Sequence, residues 1–483
     1  MLVKRKTLIF SFILVGILLF CIITSNQEYW LNWLGITIFF YAMMTWHWEK
    51  NDKIFSLYTI FFFFLLLFNY GDCIMWALGI NQDRGLTVGK LLIYGSNLYM
   101  SKKDLVDTKW YICLSMLTFH IGALFLVKRK STYVARVDGI ALQANADKNK
   151  LDRSALYKAG CIVTAIVAPV TIGLRVSEVI IARQYGYGAL YYSDMSTQSG
   201  YVQIIIYLFF PGLIALLIGS DFSKRVVRTV VIIFGIYMVL GIASGDRGNW
   251  LYSLIILIWI FNQRKPARIS TVIKLMVIGV VGIYLLQIVT LSRNYGGLGD
   301  LSLESFTEAL SLDNSPIVDA FFEMGGTMGI VTIFLKLGAI YPYTNTYLTA
   351  ILGAVSSRSL SFLGIDFVLI GDWLSQEYFD LNYGLGFTMI AEAYVNGGYI
   401  GGLIYMCILG AIIGKLLAMC RDSWDMQNNP VKAFISISSA NLLMSLPRGA
   451  VYLVVKNFVY GVVIMLLLIY LLKMIVRKDM KIS

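Results

Sequence analysis

Charged residues are scarce in this chain: Asp, Glu, Lys and Arg together make up 14% of 483 residues, against 58% for the hydrophobic types. A soluble globular domain carries roughly a quarter of its residues as charges, so the deficit excludes an ordinary soluble protein, and most of the chain is expected to meet lipid. Histidine is scarcer still. His47 and His120 both map toward the cytoplasmic ends of their apolar runs, so a reaction on the outer face would need a carboxylate as its base. The cysteines Cys21, Cys73, Cys113, Cys161, Cys407 and Cys420 lie within or at the ends of apolar runs, without metal-ligand or redox spacing. Neither disulfides nor zinc are indicated. No Asp-x-Asp pair accompanies Glu28 in the short first outer loop, so no divalent-metal site is expected and no cofactor is implied. Internal repeats and low-complexity tracts are missing too. The basic start at 1–6 leads into an apolar run to Thr24 with no small-residue cleavage pattern after it, which reads as a retained first helix with the N-terminus in the cytoplasm.

What the chain has in abundance is apolar runs of about 18 to 25 residues, each able to cross a hydrocarbon core of about 30 Å as a helix. Candidate spans fall near 7–24, 29–48, 54–80, 109–127, 156–182, 201–219, 228–244, 249–262, 270–291, 385–419, 431–446 and 449–474. The expected fold class is an all-α polytopic membrane protein of about 12 transmembrane helices. The net charge of +12 lies mostly in short loops between these runs, which records topology and excludes nucleic acid as the partner. Segments 1–6, 49–53, 128–158, 221–228, 262–274, 415–432 and the tail from Lys473 hold most of the Lys and Arg, putting both termini in the cytoplasm. Trp30 and Trp33 at one end of the second span and Trp46 and Trp48 at the other fit aromatic anchoring at both interfaces.

The chain therefore divides into N-terminal transmembrane helices (1–127), a cytoplasmic basic linker (128–156), central transmembrane helices (157–291), a large extracytoplasmic loop (292–384) and C-terminal transmembrane helices (385–483). The linker is polar and charge-mixed and reads as flexible. The large loop far exceeds the usual connection of about 4 to 6 residues, and loops of that size are usually functional or disordered. Its apolar pieces at 327–340, 346–355 and 360–370 argue against disorder. Each is too short to span comfortably, so a structured outer cap with helices lying in the interface or re-entering it is expected. Two of those pieces paired as a membrane hairpin would give 14 spans with the same orientation.

On the outer side of the back half, the basic residues are mostly arginines: Arg247, Arg293, Arg358 and Arg448, joined by Arg175 and Arg183. A guanidinium fork binds phosphate oxygens bidentately and stays charged in a poorly hydrated site. The cluster therefore suggests a phosphorylated ligand. In GDRGNW from Gly245 and PRG from Pro447, Arg247 and Arg448 each open a helix whose N-terminus points outward, a ready cradle for diphosphate. The same residues have a structural reading: Asp246 as a helix cap, Pro447 as a first-turn proline, the arginines as headgroup anchors, and Arg175 paired with Glu178 one turn away.

Glu392 lies in the apolar stretch FTMIAEAYVNGGYIGG, about two turns below the outer surface, with Asn396 on its face. An ionisable group at such depth is costly and is functional by default; its structural alternative is a neutral or arginine-paired carboxylate. Gly397 with Gly401, Gly398 with Gly402 and Gly410 with Gly414 offer small-residue spacing for close helix packing. Asp246, Glu323, Asp366, Asp372 and Glu377 are the further carboxylate candidates.

GDRGNW, EMGGT at Glu323, the Tyr341–Pro342 pair, GLGFTMIAEAYVNGGYIGG from Gly384 and PRGAVY at Pro447 form an ordered set over 241–460. That set resembles the Wzy-type O-antigen and capsular polysaccharide polymerases. The resemblance implies a metal-independent, GT-C-like membrane glycosyltransferase. Its donor would be a growing glycan on undecaprenyl diphosphate, its acceptor a lipid-linked oligosaccharide repeat unit, and its protein partners a chain-length regulator and a flippase. It further implies that Arg247, Arg293, Arg358 and Arg448, with Arg175, serve the diphosphates, that Glu392, Glu323 and Asp246 act on the acceptor, and that Asn396 and Tyr341 contact substrate. The implied reaction inverts the anomeric carbon on the outer face of the bacterial cytoplasmic membrane. A lipid-linked oligosaccharide flippase is the rival of another class, but it needs polar groups near the midplane reachable from both sides. An O-antigen ligase is the nearer rival; the missing outer-face histidine speaks against it.

Overall fold

The computed structural model describes residues 4–80, 85–93, 96–130, 139–185, 200–246, 248–266, scattered positions from 268 to 284, and 315–482. It is helical throughout, and among the described residues the only extended pairing is an isolated bridge between Leu91 and Tyr99. The first nine helices are α1 (Arg5–Ile23), α2 (Gln27–Lys50), α3 (Leu57–Ala77), α4 (Lys102–Leu126), α5 (Gly139–Tyr185), α6 (Gly200–Tyr207), α7 (Phe209–Gly219), α8 (Lys224–Ser244) and α9 (Asn249–Arg264). They are followed by α10 (Pro316–Gly325), α11 (Met328–Leu337), α12 (Thr346–Leu352), α13 (Arg358–Phe362), α14 (Met389–Leu417), α15 (Ser423–Asn428), α16 (Pro430–Leu443), α17 (Val451–Phe458) and α18 (Ile464–Ile482). Local chemistry sets several of the starts. Ser101 and Asp104 form a reciprocal capping box on α4, Ser56 caps α3, Thr388 caps α14, and Asn345 accepts from two backbone N–H groups of α12.

Eight helical stretches among the described residues are long and apolar enough to cross a membrane. Seven fall where apolar runs predict spans. The eighth, Pro316–Leu337, lies inside the loop expected to cap the bundle. It consists of two short helices, α10 and α11: Val318 packs with Met75 near the end of α3 and Lys336 pairs with Asp104 at the start of α4, so both ends of the stretch lie at the same end of the bundle. Gly71 and Gly325 bring α3 and α10 together so closely that a Cβ on either would strike the other helix's backbone. The Thr327 hydroxyl donates to the Phe68 carbonyl across the same seam. In the linker expected at 128–156, α5 already begins at Gly139, and 131–138 lie outside the described residues. So does most of the span expected at 270–291.

The central seam joins α4 to α14. A Cβ on Gly122 would collide with the Cys407 carbonyl, and one on Gly410 with the Phe119 carbonyl, so these glycines set the interaxial distance. Gly414 packs on Ala123, and Gly402 faces Tyr111. Inside α14, Gly398 has φ 62°, a left-handed conformation that kinks the helix.

We call the end where α1 begins basal and the opposite end apical. Basally, Lys130 pairs with Asp422 (2.6 Å) and Asp425 (3.1 Å), and Arg264 and Arg153 flank Asp221. The histidines belong to this half: His120 sits buried between Thr45 (2.7 Å) and Tyr58 (2.8 Å), and His47 contacts the Asp52 carbonyl. The apical end carries α10 to α13, the start of α14 and the turn before α17.

Candidate functional site

Toward the apical end, residues of α5, α6, α7, α8, α9, α16 and α17 line a partly open cavity of about 350 Å³, within the range of small-ligand pockets. Its charged wall is built on Arg175. That guanidinium donates to Glu178 (2.7 Å), one turn along α5, to Asp246 (2.9 Å), just past α8, and to the Tyr237 hydroxyl (2.8 Å), while stacking 4.7 Å above the Tyr237 ring. Asp246 is fixed in turn. Gly245, at φ 90°, ends α8, and the other Asp246 oxygen accepts from the Gly248 N–H (3.0 Å), two residues on. Trp250 locks the same turn by donating to the Asp246 carbonyl (2.8 Å). Asp246 therefore shapes the α8–α9 turn and reaches Arg175, whereas the N-cap position of α9 is Gly248.

Opposite that wall, Ser253 of α9 donates to Asn441 of α16 (2.8 Å), and Tyr252 lines the space between them. Arg448 lies within electrostatic reach of the Tyr252 hydroxyl and is itself exposed. It does not open a helix as expected. It closes a single 3-10 turn, Leu446–Arg448, after which Gly449 is extended and α17 starts only at Val451. Nor is that helix N-terminus vacant for an anion, because the Val451 N–H donates to Glu392 (2.7 Å).

Glu392 is fully buried in the first turn of α14, which begins at Met389. Its second oxygen accepts from the Thr346 hydroxyl (2.6 Å). Asn396 completes the knot: its amide oxygen takes the Thr346 N–H (2.8 Å) and its nitrogen donates to the Thr346 hydroxyl and to the Glu392 carbonyl (both 2.7 Å). Glu392 and Asn396 thus clamp α12 and α17 onto α14, and among the described residues no arginine pairs with the carboxylate. Nearby, Asn69 of α3 bridges Thr388 and the Pro447 carbonyl, holding the Arg448 turn against the start of α14.

The remaining candidates are spread over the apical surface. Tyr341 donates to the Val368 carbonyl (2.6 Å) and packs edge-on to Trp373. Glu323 is exposed on α10 and Arg358 is exposed at the start of α13; neither lines the cavity. Glu377 accepts from Tyr343 (3.0 Å), which raises the Tyr343 phenol above its ordinary pKa. Arg247 and Arg293 lie outside the described residues. No three His, Cys, Asp or Glu side chains converge at metal-binding distance among the described residues. The residues that sequence reasoning missed are Thr171, Tyr237, Tyr252 and Asn441. Only Asn441, an amide inside an apolar run, carried a signal.

A helical bundle with eight stretches among the described residues long and apolar enough to cross a membrane defines a multi-pass membrane protein. The family model for O-antigen polysaccharide polymerase Wzy matches residues 7–479, and the chain belongs to that family. Its members polymerise O-antigen from lipid-linked oligosaccharide repeat units in membranes. No curated protein and no solved structure matches the chain.

Proposed function

We propose that this protein is a metal-independent, inverting glycosyltransferase that joins undecaprenyl-diphosphate-linked repeat units on the outer face of the cytoplasmic membrane. The observation that carries the reading is the apical cavity, lined on one side by Arg175, which pairs with Asp246, and on the other by Ser445, which immediately precedes the Arg448 turn. In this reading Arg448, with Arg247, Arg293 and Arg358, receives the donor diphosphate. An acceptor hydroxyl oxygen forms a bond to the anomeric carbon of the donor. The bond from that carbon to the diphosphate oxygen breaks, and the lipid diphosphate leaves with the electron pair. The hydroxyl proton passes to an apical carboxylate, for which Asp246 and Glu323 are the candidates. Guanidinium groups stabilise the leaving charge as it develops, and binding both lipid-linked chains in register supplies orientation.

Two of the candidate residues take positioning roles here. Arg175 commits both terminal nitrogens to Glu178, Asp246 and Tyr237, so it orients the carboxylate wall rather than gripping phosphate. Glu392, enclosed and accepting two hydrogen bonds, holds the Arg448 turn and α12 in place.

The test is the purified protein in nanodiscs with one synthetic lipid-linked repeat unit. A ladder of products is expected, and Arg448→Ala should reduce it at least tenfold at equal folded protein. Substrate carried unchanged across a vesicle wall, with no ladder, would point to a transporter instead.

A further inference from the structure

Three features of the cavity set it apart from the arginine-bearing surface above it. Its cation among the described lining residues, Arg175, is held between two carboxylates, so the cavity offers little net positive charge to a phosphate. Its walls mix aromatic faces with neutral hydroxyls and amides. It also contains polar atoms with unused capacity. Thr171 is 2% exposed, lines the cavity, and its hydroxyl has no partner among the described residues. A helical threonine ordinarily bonds a carbonyl one turn back, and a buried hydroxyl left unmade costs free energy. Across the cavity, Asn441 accepts from Ser253 through its oxygen, while its amide nitrogen has no partner among the described residues.

We propose that this cavity is a subsite for a neutral polyhydroxylated ring, the sugar adjoining the lipid diphosphate, and that Thr171, Glu178 and Asn441 read its hydroxyls. The proposal rests on the polymerase reading above and extends it to residues that no motif marked. A sugar ring presents both donors and acceptors around an apolar face. Thr171 can serve either role, Glu178 accepts, Asn441 donates, and Tyr252 and Phe210 supply flat walls. The position fits as well. Ser445, three residues before Arg448, lines the cavity together with Tyr252, so a ring seated here leaves its diphosphate on the arginine side. Arg175 acts through Glu178: by fixing that carboxylate it sets the hydroxyl geometry the site accepts.

The experiment measures direct binding to the full-length protein in nanodiscs by calorimetry, with two separate probes: the lipid-free repeat-unit oligosaccharide and undecaprenyl diphosphate. Thr171→Val, which removes the hydroxyl and keeps the shape, and Asn441→Ala should each weaken oligosaccharide binding about three- to tenfold, the usual range for one neutral hydrogen bond. Undecaprenyl diphosphate binding should be unchanged in both, and Thr171→Ser should restore the sugar affinity. Unchanged oligosaccharide binding in both variants overturns the subsite even if the wild type forms ladders. Loss of diphosphate binding in parallel also overturns it, by making the cavity the phosphate site. If the wild type forms no ladder yet the variants lose only oligosaccharide affinity, the polymerase reading falls and the sugar site stands.

Discussion

Arg421 ties more of the backbone together than any other described side chain at the basal end. Its guanidinium donates to the carbonyls of Lys50 (2.8 Å), Lys128 (2.8 Å) and Ala418 (3.2 Å), the last residue of α2, a residue just past α4 and the C-cap of α14. Helix C-termini leave carbonyls unpaired and carry partial negative charge, so a single planar fork serves three of them. Arg421→Ala should destabilise the solubilised protein by about 3 kcal/mol, on the scale of hydrogen bonds to charged groups. Arg421→Lys should recover only part of that, because an ammonium lacks the planar fork; thermal unfolding in detergent measures both. Asp422, next along the chain, gives a pH signature. Burial works to raise its pKa, but the hydrogen bonds from Lys130 and from the Asp425 N–H outweigh burial and hold it below its ordinary value. A carboxyl with a lower pKa in the folded than in the unfolded state contributes stability that is full above about pH 4 and fades as the pH falls through the folded value. The unfolding temperature should therefore drop below about pH 4. Asp422→Asn should lower it at neutral pH and shrink that acid drop.

At the scale of elements, the α4–α14 seam and the α12–α14–α17 knot decide whether the apical cavity keeps its shape. Gly410→Ala places a methyl group against the Phe119 carbonyl, and forcing the two helices apart should cost about 1–3 kcal/mol, the range for overpacking. Gly401→Ala, where a Cβ meets nothing within 4 Å, is the control and should behave as wild type. At the knot, both partners of the Glu392 carboxylate are donors, the Thr346 hydroxyl and the Val451 N–H. Glu392→Gln turns an amide nitrogen on one of them, so one bond is lost. The variant should lose about 1–3 kcal/mol of stability and, at equal folded protein, much of its polymer yield; a fully active Glu392→Gln protein would remove the positioning role. Spacing and composition make much of this legible. Apolar runs mark the spans, and the Gly410–Gly414 spacing marks the seam. The knot is not legible, because Glu392 meets Val451 across 59 positions and Thr346 across 46. Nothing local in an apolar stretch says whether a carboxylate will face a ligand or cap a helix that begins much later. Tyr237 and Tyr252 are hidden for a related reason: tyrosines within apolar runs look alike whether they pack in a core or line a cavity.

Over the whole molecule, the described charges separate by end and differ in kind. Basal Lys and Arg close loops onto Asp152, Asp221, Asp422 and Asp425. Apically, Arg448 and Arg358 are exposed beside α12 and α13, where Ile351 (69%), Val355 (69%) and Phe362 (91%) also stand exposed. Apolar residues presented this way beside a cation suit a helix pair lying in a membrane interface. The polymerase reading needs that apical end outside the cell, and the positive-inside bias of the lysine- and arginine-rich loops predicts the same orientation. Two single-cysteine proteins test it in a background without the native cysteines. Ser357→Cys, exposed between α12 and α13, should react with a membrane-impermeant maleimide in intact spheroplasts. Gln427→Cys, exposed on α15 at the basal end, should react only after the membrane is permeabilised. The opposite pattern would turn the cavity and Arg448 toward the cytosol and leave the proposed enzyme without a site on the outer leaflet.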